Sequence, residues 1–297
     1  PALFIVTKAG PDSNKERTAC MLLEILKSAI IGIVQGITEW LPVSSTGHMI
    51  LAEKILNLNV SADFWNMFKV VIQFASILAV IVIYFHKLNP FSPQKTAEEK
   101  KQTYTLWGKV IVAMIPAGVA GLLLDDLIDT VLSGSLIIAA TLILYGVAFI
   151  LIERRGKAPT TTSLDALSYR TAFLIGMFQV LSLIPGTSRS GSTILGAILV
   201  GCSRFVGTEF SFFLAVPVMF GASGLKLLKF LQKGTAVSSL EWAVMITGFI
   251  VTFFVSILAI KFLIGYIKKH DFKAFGVYRI ILGLIVIFAV AVGFLPM

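Results

Sequence analysis

The sequence predicts an all-α polytopic membrane protein, built as an inverted-topology repeat with six full transmembrane helices and two re-entrant, broken-helix hairpins that meet at the midplane. Hydrophobic residues make up 57% of the chain and charged residues only 14%, whereas soluble domains carry about 25% charge. A polar, helix-breaking pattern also occurs twice, 144 residues apart, inside apolar segments. The net charge of +9 therefore indicates basic membrane-facing loops rather than binding of nucleic acid.

Residues 1–20 are polar after a short apolar start and lack the apolar stretch of a signal peptide. We expect them to form an extension outside the fold, followed by a single integral membrane domain over residues 21–297. Cys20 and Cys202 are too few and too far apart to indicate a disulfide framework or a metal cluster.

Crossing the hydrocarbon core takes about 20 mostly apolar residues. Runs of sufficient length lie at 64–86, 105–124, 132–152, 208–230, 240–264 and 274–296. The segments 22–56 and 168–203 instead contain a polar break between two apolar stretches. Each forms either a re-entrant hairpin or a broken helix followed by a second helix, and we favour the hairpin because its loop then reaches the midplane.

Three full spans in each half would invert the second repeat (about 168–296) relative to the first (about 22–152). Clusters of Lys and Arg then fall on one face, in the loops 87–104, 153–170 and 265–273. The loop 125–131, which carries Asp125, Asp126 and Asp129, falls on the other face. Because basic loops stay on the cytoplasmic side, we expect the acidic loop to lie outside.

The two breaks contain the residues that point to chemistry. The first reads Gln35-Gly-Ile-Thr-Glu39-Trp-Leu-Pro42-Val-Ser44-Ser45-Thr46-Gly47-His48, and the second reads Pro185-Gly186-Thr187-Ser188-Arg189-Ser190-Gly191-Ser192-Thr193. Lipid cannot satisfy the backbone groups that a broken helix frees, so each break has to line a cavity or be buried in protein. Breaks in corresponding halves predict one shared site.

Gln35 and Glu39 are four residues apart and therefore share one helix face. A carboxylate in a membrane span costs about 2.5–3.5 kcal/mol on insertion scales, so Glu39 should face a wet or paired interior. Mg²⁺ is often held by one or two carboxylates together with water and phosphate oxygens. Glu39 and Gln35 are thus candidate metal ligands, and the alternative is a structural role at the helix break.

Ser44, Ser45 and Thr46 precede an apolar run, where hydroxyls either cap a helix or bind a ligand. His48 favours ligand chemistry, because imidazole moves protons near neutral pH and can attack phosphorus. The alternative is a packed, hydrogen-bonded histidine.

In the second break, glycines and hydroxyls at a helix start form a candidate anion site. Its candidate substrate-binding residues are Gly186, Ser188, Ser190, Gly191 and Thr193. Arg189 adds a planar cation suited to bidentate phosphate contacts, unless it only pairs with Glu39. Glu39 supplies a carboxylate, His48 a group that can transfer protons, and Arg189 a cation that can bind phosphate. Together, at membrane depth, they suit phosphoryl transfer from a lipid-linked phosphate.

The chain resembles the bacterial undecaprenyl-diphosphate phosphatases, also called the bacitracin-resistance protein family. The resemblance covers the chain from about Met21 onward. Its motifs are Gln35-Gly-Ile-Thr-Glu39, Leu41-Pro-Val-Ser-Ser-Thr-Gly-His48, Pro185-Gly-Thr-Ser-Arg-Ser-Gly191 and Glu209-Phe-Ser-Phe-Phe-Leu-Ala-Val-Pro217. The family has Glu or Gln at the first of these positions, and Gln35 here leaves a single carboxylate for a metal.

The resemblance implies hydrolysis of the diphosphate on a C55 polyprenyl carrier in the bacterial inner membrane, giving the monophosphate and inorganic phosphate. This reaction recycles the carrier for peptidoglycan synthesis and confers bacitracin resistance. The resemblance also implies a site opening to the periplasm, a loosely bound divalent cation (Mg²⁺ or Ca²⁺) and a homodimer. The implied partners are the polyprenyl diphosphate lipid and the bilayer, with no nucleic acid.

By the same resemblance, Glu39 holds the metal or activates water, and Ser188, Arg189 and Thr193 hold the phosphates. For the nucleophile we favour Ser45 assisted by His48, with His48 itself and water as the alternatives. The rival class is a secondary transporter or flippase for an anionic or lipid-phosphate substrate, because inverted repeats with broken helices are also transporter architecture.

Overall fold

The computed structural model describes residues 14–131, 134–234 and 236–296, with side chains from residue 17 and without those of 125–131. This part of the chain is helical, and its only strand-like pairing is an isolated bridge between Thr161 and Cys202. The helices are α1 Asn14–Thr38, α2 Ser45–Leu56, α3 Ala62–Ile83, α4 Phe85–Leu88, α5 Ala97–Val131, α6 Ser135–Arg154, α7 Tyr169–Val180, α8 Arg189–Leu199, α9 Arg204–Gln232, α10 Ser239–Ile267 and α11 Lys273–Ala291. The all-α prediction is confirmed.

Within the described residues, seven helices are long and apolar enough to cross a membrane. Six of them coincide with the six predicted spans and lie in α3, α5, α6, α9, α10 and α11. The seventh, Arg17–Thr38, is the first arm of the first predicted hairpin. The protein is therefore a multi-pass membrane protein.

Two boundaries differ from the prediction. Helix α1 begins at Asn14, inside the predicted extension, because Lys, Glu, Arg and Ala favour helix. Helix α5 continues to Val131, so the predicted loop 125–131 is wrong. The apolar residues there recur at helical spacing, which outweighs the aspartates among them. Residues 1–13 and the side chains of those aspartates lie outside the described part of the chain.

In each broken segment, the residues that enter it and the residues that leave it lie close together, at the same end of the molecule. After α2, the backbone N–H of Asn59 donates to Glu24 Oε2 at 2.9 Å, and Lys27 Nζ donates to Asn57 O at 3.2 Å. The chain has therefore returned beside the early part of α1.

The second segment closes in the same way. The N–H of Thr160, before α7, donates to Gly201 O at 2.9 Å, and the N–H of Ser203, after α8, donates to Thr161 O at 2.8 Å. The two ends of this segment therefore also lie side by side.

The two closures lie at opposite ends of the molecule. We call the end with connections 57–61 and 233–238 face 1. There, Ser61 Oγ donates to Glu241 Oε1 at 3.0 Å. We call the end with connections 155–168, 200–203 and 268–272 face 2.

At face 2, Arg204 Nε donates to Glu153 Oε1 at 2.9 Å, and the N–H of Phe272 donates to the same oxygen at 3.2 Å. Helix α9 runs from face 2 to face 1 over 29 residues, which is about 43 Å of helix.

The helices pack in pairs, and each pair contains one helix from the first repeat and one from the second. Helix α1 packs along α10 and α7 along α5, while α6 pairs with α11 and α3 with α9. The α6–α11 pair is close: a Cβ atom on Gly146 or Gly276 would lie 2.7 Å from the carbonyl oxygen of the other glycine. Small residues permit such approach between membrane helices. This packing holds the two breaks against each other.

Candidate active site

The short helix after each break begins with the same local geometry. Ser44 caps α2 and accepts a hydrogen bond from the N–H of Gly47 at 3.3 Å, and Ser188 caps α8 and accepts from Gly191 at 3.1 Å. Their φ angles are 74° and 72°, a region that side-chain-bearing residues rarely adopt. Strained backbone of this kind persists only where its surroundings hold it and is frequent at functional sites.

The first helical residues after these caps converge on one carboxylate. Ser45 Oγ donates to Glu39 Oε2 at 3.1 Å, and Arg189 Nη2 lies 3.4 Å from Glu39 Oε1. Gln35 Nε2 also donates to Glu39 Oε2, at 3.0 Å. Three donors thus compensate a carboxylate that is only 6% exposed, as burial of a charge requires.

Arg189 is held in place from several directions. Its Nη1 donates to Ser211 O at 3.0 Å, and its guanidinium lies 5.5 Å from the centre of the Trp40 ring. Its Nε–H has no partner among the described residues. The ion pair with Glu39 that we considered as an alternative is present, and it leaves donor capacity on Arg189 for a ligand.

Two adjoining cavities open beside these groups. The first, of about 170 Å³, is lined by Glu39, Ser188, Arg189 and Gly186, among others. The second, of about 130 Å³, is lined by residues that include Gln35, Glu53 and Lys69. Both share the same three lining residues, Ser45, Thr46 and Gln73, so they form one polar cleft.

Other predicted site residues make hydrogen bonds within the protein framework. Ser190 Oγ donates to the carbonyl oxygens of Glu39 and Leu41 at 3.2 and 3.3 Å, which ties the second break to the first. Thr193 Oγ1 is buried and lies 2.6 Å from Ser211 Oγ. Neither Ser190 nor Thr193 lines the cleft, and the same is true of Ser44 and Gly191.

Gly186 lines the cleft but is also required by packing. Its φ angle is +87°, and a Cβ atom there would lie 2.7 Å from Ile138 O on α6. The absence of a side chain at Gly186, a predicted substrate-binding residue, therefore also permits the close approach of a neighbouring helix.

His48 faces away from the carboxylate. Its Nδ1 lies 2.7 Å from Ser44 O and its Nε2 lies 2.7 Å from the Tyr278 hydroxyl, with the two rings stacked. A carbonyl only accepts, so Nδ1 carries the proton and Nε2 accepts from Tyr278 when the ring is neutral. The hydroxyl of Ser45 bonds to Glu39 rather than to His48, so the geometry favours the packed histidine that we considered as the alternative.

Arg279, a fully buried arginine on α11, is not among the residues that the motifs indicate. Its Nη1 donates to Pro42 O at 3.2 Å, and its Nη2 donates to Gly186 O and Thr187 O at 3.0 and 2.9 Å. One guanidinium therefore joins the backbones of both breaks. An arginine inside an otherwise apolar run was the available signal, because such a charge is costly without partners.

Replacing Arg279 with methionine is expected to lower the free energy of unfolding by at least about 3 kcal/mol, since it leaves three buried carbonyls without their charged donor. The thermal unfolding midpoint in detergent measures the effect. The exposed Arg170 provides the control as Arg170→Met. Equal midpoints for the two variants would contradict the bridging role of Arg279.

The fit of a divalent cation depends on Glu39 and Gln35. No group of three or more His, Cys, Asp or Glu side chains capable of holding a metal occurs among the described residues. Gln35 Oε1 makes no hydrogen bond to another described residue, and Gln35 lines the cleft beside Glu39. One carboxylate and one amide oxygen suit Mg²⁺ when a phosphate substrate and water supply the remaining ligands.

Fold and site together define a multi-pass helical membrane protein with a polar, phosphate-compatible cleft between two broken helices. The model of the bacitracin resistance protein BacA family matches residues 28–285. The chain belongs to this family.

Close relatives are similar over nearly their whole length. The chain is 58% identical over 269 residues to an undecaprenyl-diphosphatase of Enterococcus faecalis, covering 90% of this chain and 98% of the relative. It is 57% identical over 268 residues to an undecaprenyl-diphosphatase of Acetivibrio thermocellus, covering 90% and 97%. A third, from Lactiplantibacillus plantarum, is 56% identical over 268 residues, covering 90% and 98%.

Proposed function

We propose that the protein is an undecaprenyl-diphosphatase, which hydrolyses the diphosphate of a C55 polyprenyl carrier to the monophosphate and inorganic phosphate. The observation that carries the proposal is the convergence of Ser45, Glu39 and Arg189 in one cleft. A nucleophile bonded to a base, beside a fixed cation, is the arrangement that covalent phosphoryl transfer uses. The names of the relatives support the same activity, and with it carrier recycling and bacitracin resistance.

In the first step, Ser45 Oγ attacks the terminal phosphorus and Glu39 accepts the proton of the hydroxyl. The bond from this phosphorus to the bridging oxygen breaks, and polyprenyl monophosphate leaves with the electron pair. Arg189 stabilises the charge that develops on the terminal phosphate oxygens. In the second step, water attacks the phosphoserine, Glu39 returns its proton to Ser45, and inorganic phosphate leaves with both hydrogens of the water.

Glu39 replaces His48 as the proposed base because the hydrogen bond of Ser45 goes to Glu39. His48 then fixes the start of α2 through Ser44 O. The proposed divalent cation, held by Glu39 and Gln35, would reduce the negative charge of the diphosphate. Ser188 and Thr46, which line the cleft, are proposed substrate contacts.

The test is phosphate release by the purified protein in detergent from a C55 diphosphate, with and without chelator. We expect inorganic phosphate from the diphosphate, its loss with chelator and its return with Mg²⁺. A transporter or flippase would release none, so a folded protein without turnover in Mg²⁺ or Ca²⁺ would overturn the proposal.

We further propose that 22–56 and 168–203 are re-entrant hairpins of an inverted repeat. Helices α2, α7 and α8 have 12, 12 and 11 residues, or about 16–18 Å each, too short for a core of about 30 Å. The closure of the first hairpin at face 1 and of the second at face 2 supports the inversion. The packing of helices of one repeat against helices of the other supports the inverted repeat as well.

The cleft is proposed to open toward the periplasm, with face 1 outside the inner membrane. Connections 155–168 and 268–272 on face 2 carry four basic residues, Arg155, Lys157, Lys268 and Lys269. Among the described residues of connections 57–61 and 233–238 on face 1, Lys233 is the one basic residue. Basic loops remain in the cytoplasm. The homodimer remains a prediction from the family resemblance.

Labelling of single cysteines tests this orientation. In a background with Cys20 and Cys202 replaced by serine, Ala236→Cys should react with a membrane-impermeant maleimide on intact spheroplasts. Lys157→Cys should react only after permeabilisation, because its connection belongs to face 2. The opposite pattern would contradict the orientation without affecting the proposed chemistry.

A further inference from the structure

Lys69 is a basic residue that lines the second cavity of the cleft, although no sequence motif marked it. It lies on α3, where its ammonium is 5.3 Å from the centre of the Trp65 ring. Among the described residues, no carboxylate lies within 4.0 Å of Lys69 Nζ and no hydrogen bond to it occurs. Lys69 therefore has donors available for an anionic ligand.

Gln73 connects this cation to the catalytic centre. It lies one helical turn after Lys69 and hence on the same face of α3. It lines both cavities, together with the proposed nucleophile Ser45. Its side-chain amide makes no hydrogen bond to another described residue. A ligand that extends from Ser45 into the second cavity would therefore pass Gln73 and reach Lys69.

The second cavity lies on the face 1 side of the catalytic centre. Helix α2 begins at the break and ends at face 1, and Met49 and Glu53, one and two turns beyond Ser45, line this cavity. When the terminal phosphate of the diphosphate is bound at Arg189, it would thus lie farther from face 1 than the phosphate attached to the polyprenyl chain. The phosphate that carries the lipid would lie nearer the mouth, at the level of Lys69.

We propose that Lys69, assisted by Gln73, binds the phosphate that remains on the polyprenyl chain, as a second phosphate subsite distinct from that of Arg189. The inference rests on the proposed function. A diphosphate carries negative charge on both phosphates, whereas Arg189 serves the attacked one. An ammonium on the other phosphate would stabilise the charge that appears on the leaving oxygen.

Product inhibition separates the two subsites, because each product corresponds to one of them. The experiment compares wild type, Lys69→Met, Lys69→Arg and the control Lys54→Met, in detergent with the C55 diphosphate as substrate. Lys54 is a suitable control because its ammonium also lies over an aromatic ring, that of Phe294 at 6.0 Å, and it lines neither cavity. Inhibition constants are measured for polyprenyl monophosphate and for inorganic phosphate.

Lys69→Met should raise KM for the diphosphate and the inhibition constant of polyprenyl monophosphate by about tenfold or more, the effect of one charged hydrogen bond. Inhibition by inorganic phosphate should change less than about twofold. Lys69→Arg should lie between Lys69→Met and wild type, and Lys54→Met should match wild type.

Unchanged monophosphate inhibition in Lys69→Met would overturn the subsite. Equal weakening of both inhibitors would also overturn it, since Lys69 would then act on the cleft as a whole. If Lys69→Met does not fold, Lys69→Gln replaces it under the same criteria. A wild-type protein that releases no phosphate refutes the proposed function, whereas active wild type with unaffected variants refutes only this inference.

Discussion

Replacing Arg189 with lysine is expected to lower kcat at least about 100-fold, the loss typical of removing one preorganised donor to a transition state. Lysine keeps the charge but lacks the planar fork, in which Nη1 and Nη2 each have one N–H bonded to Ser211 O or Glu39 and a second N–H left for phosphate. A single ammonium would have to replace these contacts and also bind the phosphate. Arg189→Ala should be at least as impaired.

Phosphate release from the C55 diphosphate measures the effect, and the thermal midpoint in detergent checks that each variant is folded. The exposed Arg170 lies in the same repeat, and Arg170→Ala should behave as wild type. Near-normal turnover in Arg189→Lys would refute bidentate phosphate binding. Near-normal turnover in Arg189→Ala would remove Arg189 from the catalytic site altogether.

Ser45→Ala and Glu39→Gln are each expected to lower kcat by more than about 100-fold, because one removes the nucleophile and the other its base. Since the two act as a pair across a 3.1 Å hydrogen bond, their effects should not add. The double variant should be no slower than the slower single variant.

Rapid acid quenching and mass spectrometry of the active protein should detect phosphate on Ser45 and none in Ser45→Ala. His48→Ala should retain more activity than either of these variants, because its ring contacts Ser44 O and Tyr278. A Ser45→Ala variant with more than about a tenth of the wild-type rate would rule out the covalent serine. Direct attack by water would then be the better mechanism.

The sequence was informative where a residue is unusual for its surroundings. Glu39 and Arg189 are charges inside apolar segments, and lipid makes unpaired charge costly. The low charge of the chain and the repeated polar break therefore predicted that Glu39 and Arg189 lie in one site. The two long spans 240–264 and 274–296 were equally predictable, since length and hydropathy alone decide them.

The sequence was ambiguous where the same residue type suits two roles. Thr193 and Ser190 belong to the hydroxyl cluster around Arg189, yet they bond to Ser211 and to the first break. His48 lies three residues after Ser45, yet its ring contacts Ser44 O and the Tyr278 hydroxyl, whereas the hydroxyl of Ser45 contacts Glu39. Residues three apart are neighbours on a helix surface, and neither this spacing nor the motif states which partner each side chain contacts.

By itself, the sequence determined the membrane class, the positions of the two breaks and the presence of Glu39, Ser45 and Arg189 within them. These features follow from local energetics, namely the cost of charge and of unpaired backbone in lipid. Only the tertiary structure decided that Arg279 joins both breaks and that Lys69 shares their cleft. Those contacts join residues distant in the chain, and helix packing rather than any local pattern brings them together.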